Sequence, residues 1–555
     1  MTTPVPKFTG IWRDDERARA AYSEGAGIYR ILPRAVAIPS TTRALAELVR
    51  WAAAENVPLI PRGAGSGMPG GNVGDGVIVD LTALDGAPLS IDPDACLARA
   101  GAAVTLGSLR VAAERHGLRM PVDPSSERWV TSGGAVSTNA AGSRTVKYGP
   151  VRRWVESLTL VSADGEIIPL TREQVPPDSA LARRIADTLA DTLRLSRWRV
   201  ASSFPKVRKN TAGYALDAYL ESTDLLDLVI GAEGTLGLVT EVVWRLEPIP
   251  PARVGLRAAV RDVRRLAQLI PALLELGPSK VEFLDRSFLK FVEDAVAAIP
   301  QAARLLEAGA LLMVEFEGAD RAPLAGLLER AVGILRGDSL EVTVGDSDAA
   351  LESLWAIRHA ASPKLATLGL ERRSLQVVED GCVPIERLGD YLSGLAAIAT
   401  ARGVPLVMFG HAGDGNVHAN LLPDVTRPGW ETLVRGIFDD ATQLVVGMQG
   451  SPSGEHGDGR LRAGLTEKIF GFEMTQVFRQ IKRAFDPQGI LNPGVKLGSG
   501  ESFGPLKVGD GAIPIPSDIE AGLRRLERQA GYASARLALA DDPLLASEPG
   551  VLPGD

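Results

Sequence analysis

Three of the five histidines in this chain lie in two short, glycine-flanked clusters. One reads His411-Ala-Gly-Asp-Gly-Asn-Val-His418, the other Gly454-Glu455-His456-Gly457. Imidazole is a common transition-metal ligand and a good general base near neutral pH. Two imidazoles and one carboxylate form a ligand set that leaves coordination positions open for a substrate. On that reading two of the histidines and one carboxylate hold a divalent metal of the zinc type, and His456 is free to move a proton. The competing reading is of loop histidines satisfied by hydrogen bonds.

Two glycine-rich segments suggest a phosphate-bearing ligand. Gly65-Ser-Gly67-Met-Pro-Gly70 fits the GxGxxG spacing after a predicted strand. Pro69, Gly70 and Gly71 oppose the helix that a Rossmann site needs for its pyrophosphate. What remains is a long loop whose backbone N–H groups could cradle phosphates, or else a plain surface loop. The second segment runs from Thr131 to Ser143 and is almost entirely small residues. Such residues let backbone approach a ligand closely, and Asn139 adds a donor and an acceptor.

These segments must be carried by more than one domain, because 555 residues exceed a single core. The chain is 45% hydrophobic and 23% charged, as ordinary globular proteins are, and its net charge of -8 argues against nucleic acid as a partner. Two cysteines, Cys96 and Cys382, provide neither a disulfide framework nor a four-cysteine cluster. No signal-peptide core and no run of about 18 apolar residues is present, so no transmembrane segment is expected. The cytoplasm is the expected location, with attachment at the membrane through a partner left open.

Residues 1–29 read as a polar N-terminal arm. Strands are predicted at Val36–Pro39, Val57–Pro61 and Gly76–Leu81, with a helix capped by Thr41 or Thr42 and facing inward through Leu45, Leu48, Val49 and Ala52. Leu158 to Ile168 predicts a hairpin turning at Asp164-Gly165, and residues 171–205 a charged helical insertion. Leu228 to Leu246 reads as strand-like around Gly231–Gly237. Pro248, Pro250 and Pro251 suggest a domain boundary. Beyond it, helical stretches such as 261–276 alternate with strands such as Leu311–Phe316. Ser517 and Glu520 suggest a capping box for a last helix with Ile519, Leu523 and Leu526 on one face. Residues 543–555 are expected to be disordered.

Taken in order, PRGAGSGMPGG (61–71), the stretch 122–158, KNTAGYAL (209–216) and GAEGTLGLVTE (231–241) resemble the FAD-linked oxidases of the vanillyl-alcohol oxidase/PCMH superfamily. HAGDGNVHAN (411–420), SGEHGDGR (453–460) and FDPQGILNPGVKL (485–497) are similar to its D-2-hydroxyacid dehydrogenase branch, which includes D-lactate and D-2-hydroxyglutarate dehydrogenases and the glycolate oxidase flavoprotein subunit. The resemblance implies an α+β fold. Its parts are an FAD-binding PCMH-type domain of two subdomains (30–249) and a substrate- and metal-binding C-terminal domain with an antiparallel sheet and covering helices (250–498). A C-terminal helix and tail (499–555) follow.

The same resemblance implies that Arg62, Gly63, Ala64, Gly65, Ser66, Gly67 and Gly71 hold the FAD pyrophosphate. Pro121, Gly133, Gly134, Thr138, Asn139, Ala141, Gly142, Glu233, Gly234, Leu236 and Gly237 are expected to line the rest of the cofactor, with Asn492 closing from the other domain. The FAD-binding half has only His116 and Cys96 as candidate tethers, neither in a tethering motif, so noncovalent FAD is expected. A metal held by His411, His418 and Glu455 would bind the hydroxyl and carboxylate of a 2-hydroxy acid, His456 would take the hydroxyl proton, and hydride would pass from Cα to the flavin.

Arg358 matches the position of a carboxylate-clamping arginine, with Ser362 and Asn420 assisting; the alternative is a solvated helix arginine. Val378 and its neighbours replace the basic residue that dicarboxylate-using relatives carry before Asp380-Gly-Cys-Val-Pro384, while Arg372 and Arg373 lie nearby. The electrons would leave to a separate acceptor: quinone, cytochrome, electron-transfer flavoprotein or an iron–sulfur subunit. A homodimer is left open. The alternatives are a metal-independent FAD alcohol oxidase, or a flavoprotein subunit active only within an electron-transfer complex.

Overall fold

Residues 5–299, 302–360, 364–365, 368–498, 503–529, 532 and 536–542 are described by the structure, a computed structural model. Ser362 and the tail 543–555 lie outside them.

The first sheet has the order Gly10–Arg13, Ala35–Pro39, Val77–Asp80, Leu59–Arg62. The last three strands in this order are parallel, and AVAIP and VIVD, the two inner ones, are buried along their whole length, as strands covered on both faces must be. Thr41 caps the connecting helix Thr42–Glu55, accepting from the Ala44 N–H at 3.1 Å, and Leu45, Leu48, Val49 and Ala52 are buried. The glycine loop follows Leu59–Arg62 without forming a helix and leads to the next strand.

Of the expected arm 1–29, the described residues 5–29 do not stand off from the fold. Gly10–Arg13 pairs antiparallel with Ala35–Pro39, and helix Glu16–Ala21 buries Ala18, Ala20 and Ala21. The charged residues between these alanines gave the stretch its polar character, while its small apolar face packs under the sheet.

The second sheet is antiparallel, in the order Ser90–Asp92, Leu97–Gly101, Leu238–Arg245, Val155–Val161, Ile167–Thr171. Its last hairpin turns at Asp164-Gly165, where Gly165 has φ 70°. The insertion forms helix Ala180–Ser203. The strand-like reading of Leu228–Leu246 holds only from Leu238. Leu225–Val229 is helical, and the turn after it places Gly231, Glu233 and Gly234 at positive φ, which breaks a ladder. The small-residue segment is a short helix, Ser132–Thr138, whose N-cap Thr131 accepts from the Gly134 N–H at 3.2 Å.

The third sheet has seven antiparallel strands in the order Ser339–Gly345, Ala252–Val260, Ala310–Gly318, Lys280–Asp285, Leu406–His411, Asn416–Leu421, Gly381–Cys382. Helices Leu266–Leu274, Arg321–Leu335, Leu388–Ala401 and Trp430–Gly447 share its main core.

Residues 466–492 fall in the expected 250–498 unit but pack with the first half. Helix Thr466–Phe485 places Phe470, Phe478 and Phe485 in the core of the second sheet, and Leu491 bridges to Leu59 of the first. Across the boundary, Arg119 stands 2.8 Å from Glu317. Near the C-terminus, Ser517–Gln529 buries Ile519, Leu523 and Leu526 as expected. The capping box does not form. The Glu520 N–H bonds to the Pro516 carbonyl, and the Glu520 carboxylate pairs with Arg30, which is a stronger partner than a backbone N–H.

Candidate active site

The two ligand-spaced histidines sit on a hairpin of the third sheet. Phe409 pairs with His418 and His411 with Asn416, so His411, His418 and Asn420 all project from one face. The turn needs Gly415, at φ 71°, where a Cβ would lie 2.1 Å from the Val383 carbonyl oxygen. Gly413 is needed for space: a Cβ there would meet Val146 at 2.7 Å. The imidazole centroids of His411 and His418 are 5.1 Å apart.

Each ring is oriented from behind. His418 Nδ1 is 2.9 Å from the Glu379 carbonyl oxygen, which only accepts, so Nδ1 carries the hydrogen and Nε2 presents its lone pair. His411 Nδ1 is 2.5 Å from Glu282 Oε1, which imposes the same tautomer. Glu455 Oε1 stands 3.1 Å from His411 Nε2 and 3.3 Å from His418 Nε2. Two imidazole lone pairs and a carboxylate oxygen therefore converge, each backed by an outer hydrogen bond, as metal ligands are. Such a donor set fits a divalent cation.

Electrostatics point the same way. Burial works against the charge of Glu455, but Lys209 and His411 hold its carboxyl well below the usual range. Burial also lowers His411, yet Glu282 and then Glu455 outweigh it and push the imidazole up to about 9. These groups demand positive charge among them.

The loop carrying Glu455 and His456 is fixed by Asp380, whose carboxylate accepts from the N–H groups of Glu455 (3.1 Å) and His456 (2.9 Å). Glu233 holds the next stretch, accepting from the N–H groups of Asp458 at 2.8 Å and Gly459 at 2.9 Å. His456 Nδ1 bonds to the Glu379 carboxylate, and its Nε2 stands 3.7 Å from Glu455 Oε1. Burial lowers His456, but Glu379 and Asp380 raise it to about 10. Glu379, Asp380, His418 and His456 also converge within ligand distance. That second group is the poorer cation site, because Glu379 is paired with Arg462 and Asp380 is taken up by backbone N–H groups.

A cleft runs from the glycine loop to this cluster. It is lined by Arg62 to Gly67, Gly71, Gly133, Gly134, Thr138, Ala141, Glu233, Gly234 and Gly237, and ends at Glu455 and His456. Among the described residues, none from Gly63 to Asn72 donates a backbone–backbone hydrogen bond. Their N–H groups are available to an anion. Arg62 is 1% exposed and, among the described residues, lies over the Tyr22 ring and donates to the carbonyls of Tyr22, Glu24 and Asn72; burial lowers it to about 9. A phosphate beside it would relieve that cost, so the cleft fits the diphosphate of FAD. Neither His116 nor Cys96 lines the cleft.

Five expected cofactor residues do not line the cleft. Leu236 is fully buried in the core of the second sheet. Asn139 ends the short helix in a left-handed conformation and accepts from the Arg152 N–H at 3.2 Å. Asn492 braces the cleft from behind, donating to the carbonyls of Gly71 at 2.9 Å and Glu233 at 2.8 Å. Pro121 is buried, and Gly142 faces the next cavity instead.

That cavity is a chamber of about 550 Å³ lined by Arg358, Asn420, His411, His418, Glu455 and His456, among others. Arg358 is not a solvated helix residue. Its Nε is 3.3 Å from Glu282 Oε2 and its guanidinium lies 4.4 Å over the Phe409 ring. Arg373 also reaches the chamber, paired at 2.6 Å with Glu527 from the C-terminal helix. Arg372 is not among its lining residues.

Sequence reasoning missed four buried groups: Glu379, Asp380, Lys209 and Glu282. Asp380 and Lys209 lay inside quoted motifs without a role. Glu282 had one signal, an acid flanked by the apolar Val281 and Phe283 in a largely buried strand.

Comparisons with known proteins agree with this architecture. The family described as FAD binding domain matches residues 33–171, and that of FAD linked oxidases, C-terminal domain, matches 249–495. A D-lactate dehydrogenase of Archaeoglobus fulgidus is 30% identical over 84% of this chain and 92% of its own length. Glycolate oxidase subunit GlcD of Bacillus subtilis is 29% identical over 87% of this chain and 93% of its own. A D-2-hydroxyglutarate dehydrogenase of Escherichia coli is 28% identical over 88% of this chain but only 50% of its own length. Among solved structures, 4-ethylphenol oxidase from Gulosibacter chungangensis shares the fold, with TM-score 0.64 over 88% of this chain and 94% of that one at 15% identity. Among the described residues no helix is long and apolar enough to cross a membrane. With both halves of one family matched in order and a relative aligned along nearly its whole length, the chain belongs to the FAD-linked oxidases, in the D-2-hydroxyacid dehydrogenase branch, and is an FAD-dependent oxidoreductase.

Proposed function

We propose that this chain oxidises a D-2-hydroxy acid of the lactate, 2-hydroxyglutarate or glycolate type to the 2-oxo acid, with the help of a divalent cation, and passes the electrons to a separate acceptor. One observation carries the reading: Glu455 and His456 line both the glycine-loop cleft and the chamber, so a substrate beside them would meet a flavin held at that end of the cleft.

When bound, FAD supplies the hydride acceptor and the cation lowers the pKa of the substrate hydroxyl. His411, His418 and Glu455 would hold the cation. His456 would accept the hydroxyl proton at Nε2, its Nδ1–H being anchored on Glu379. With Glu455 engaged in holding the cation, His456 Nε2 would be left neutral and able to take that proton. Arg358 would pair with the substrate carboxylate and Asn420 would hydrogen-bond it. FAD is bound noncovalently in this reading, and quinone, a cytochrome, an electron-transfer flavoprotein or an iron–sulfur subunit takes the electrons.

The test is anaerobic visible spectroscopy of purified, metal-assayed protein against D- and L-2-hydroxy acids. Bleaching of the flavin band by a D acid is the expected result. No bleaching by any acid, with FAD and metal both present, overturns it. A relative named as a subunit favours a second reading, a flavoprotein that turns over only within a complex. Turnover of the purified chain with an artificial dye acceptor would exclude that.

A further inference from the structure

Lys209 belongs to Lys-Asn-Thr-Ala-Gly-Tyr in the FAD-binding half, yet its ammonium reaches the metal-ligand cluster of the other half. Nζ stands 2.7 Å from Glu455 Oε2, 3.2 Å from the Gly142 carbonyl oxygen and 3.4 Å from Asp414 Oδ2. The side chain is 1% exposed. Asp414 sits in the turn between the two histidines. Its other cation, Arg208, is 3.6 Å away with a side chain 48% exposed.

The two oxygens of Glu455 therefore face different partners. Oε2 is held by Lys209, while Oε1 faces Nε2 of His411, His418 and His456 at 3.1, 3.3 and 3.7 Å. We infer that Lys209 is a positioning residue that restricts Glu455 to binding a cation through Oε1 alone. This rests on the proposed cation site. A carboxylate with both oxygens free can rotate or chelate through both, whereas a charge-assisted bond to one oxygen fixes the plane of the group. Removing the ammonium would also leave Glu455 and Asp414 as buried carboxylates without their shared partner. Because Lys209 and Glu455 come from opposite halves, this orientation of Glu455 is set only when the halves are docked.

The test is the Zn²⁺ dissociation constant of FAD-loaded protein, by chelator competition, for the parent, Lys209→Met, Lys209→Arg and Glu455→Gln. Lys209→Met is expected to keep its FAD and bind zinc about 10–100-fold more weakly, the usual effect of losing an outer partner. Lys209→Arg, which restores charge and donor, should recover most of that loss. Unchanged zinc affinity in Lys209→Met overturns the inference. Tighter binding does so too, because simple repulsion between Lys209 and the cation would then dominate. A parent that binds no zinc removes the cation site itself and this inference with it. Should Lys209→Met not fold, Lys209→Arg decides: affinity within about tenfold of the parent supports the role, and affinity as low as that of Glu455→Gln overturns it.

Discussion

Glu379 orients His418 through its backbone, and its own carboxylate holds Nδ1 of His456. One residue thus sets the tautomer of a candidate ligand and of the candidate base. Burial opposes the charge of the Glu379 carboxyl, but His456 and Arg462 bring it down to about 2. Glu379→Gln is expected to lower kcat/KM by about 10–100-fold with FAD retained. Steady-state kinetics alongside flavin absorbance check this, and an unchanged kcat/KM would mean that His456 needs no anionic anchor.

His456→Ala should reduce turnover by at least about 100-fold while FAD and metal stay bound. Metal analysis of the purified variant is the decisive reading. Loss of metal with activity would place His456 among the ligands, as the second convergent group would allow. Glu455→Ala should lose the metal, and an unchanged metal content would remove Glu455 from the site.

Arg358 is held by Glu282 and Phe409 rather than by solvent. Arg358→Ala should raise KM for the hydroxy acid by about 10–100-fold, the worth of a charged hydrogen bond, with kcat less affected. Unchanged kinetics would make Arg358 a structural partner of Glu282 only.

Metal affinity should depend on pH. His411 is raised to about 9, after Glu282 and Glu455 outweigh burial, and a proton competes with a cation for Nε2. The proton is on below that pH, so affinity is full above it and falls as pH falls. The apparent zinc dissociation constant should rise by up to about tenfold per unit between pH 9 and 7. Chelator titrations across that range giving a flat profile would count against His411 as a ligand.

Glu527 ties the C-terminal helix to the chamber wall through Arg373, and pairs also with Lys507 and with Arg524 of its own helix. Burial opposes its charge, but Lys507 and Arg373 lower it to about 2. A depressed folded-state pKa contributes stability above the unfolded value near 4.5 and loses it as pH falls toward 2. The contribution is on the order of 1–3 kcal/mol. Glu527→Gln should lower Tm at pH 7, by a margin that narrows toward pH 3; equal shifts at both would mean that the charge is not what matters.

Residue type and spacing alone made much of this protein legible. The histidine clusters, the glycine loop with no helix after it, the helix that Thr41 or Thr42 could cap and the Asp164-Gly165 hairpin follow from local chemistry, which sequence neighbours determine. The ordered motifs identified the family for the same reason. The tertiary structure decided what long-range packing controls. Glu282, Glu379 and Lys209 reach the site from segments 129, 39 and 246 residues from His411, His418 and Glu455, and no local pattern announces such partners. It also drew residues 10–22 and 466–492 into the first half, because an apolar face goes where it can be covered, not where its neighbours in sequence lie. Leu236 and Asn492 show the same limit from the other side: their motif placed them at the cofactor, and packing made one a core residue and the other a brace.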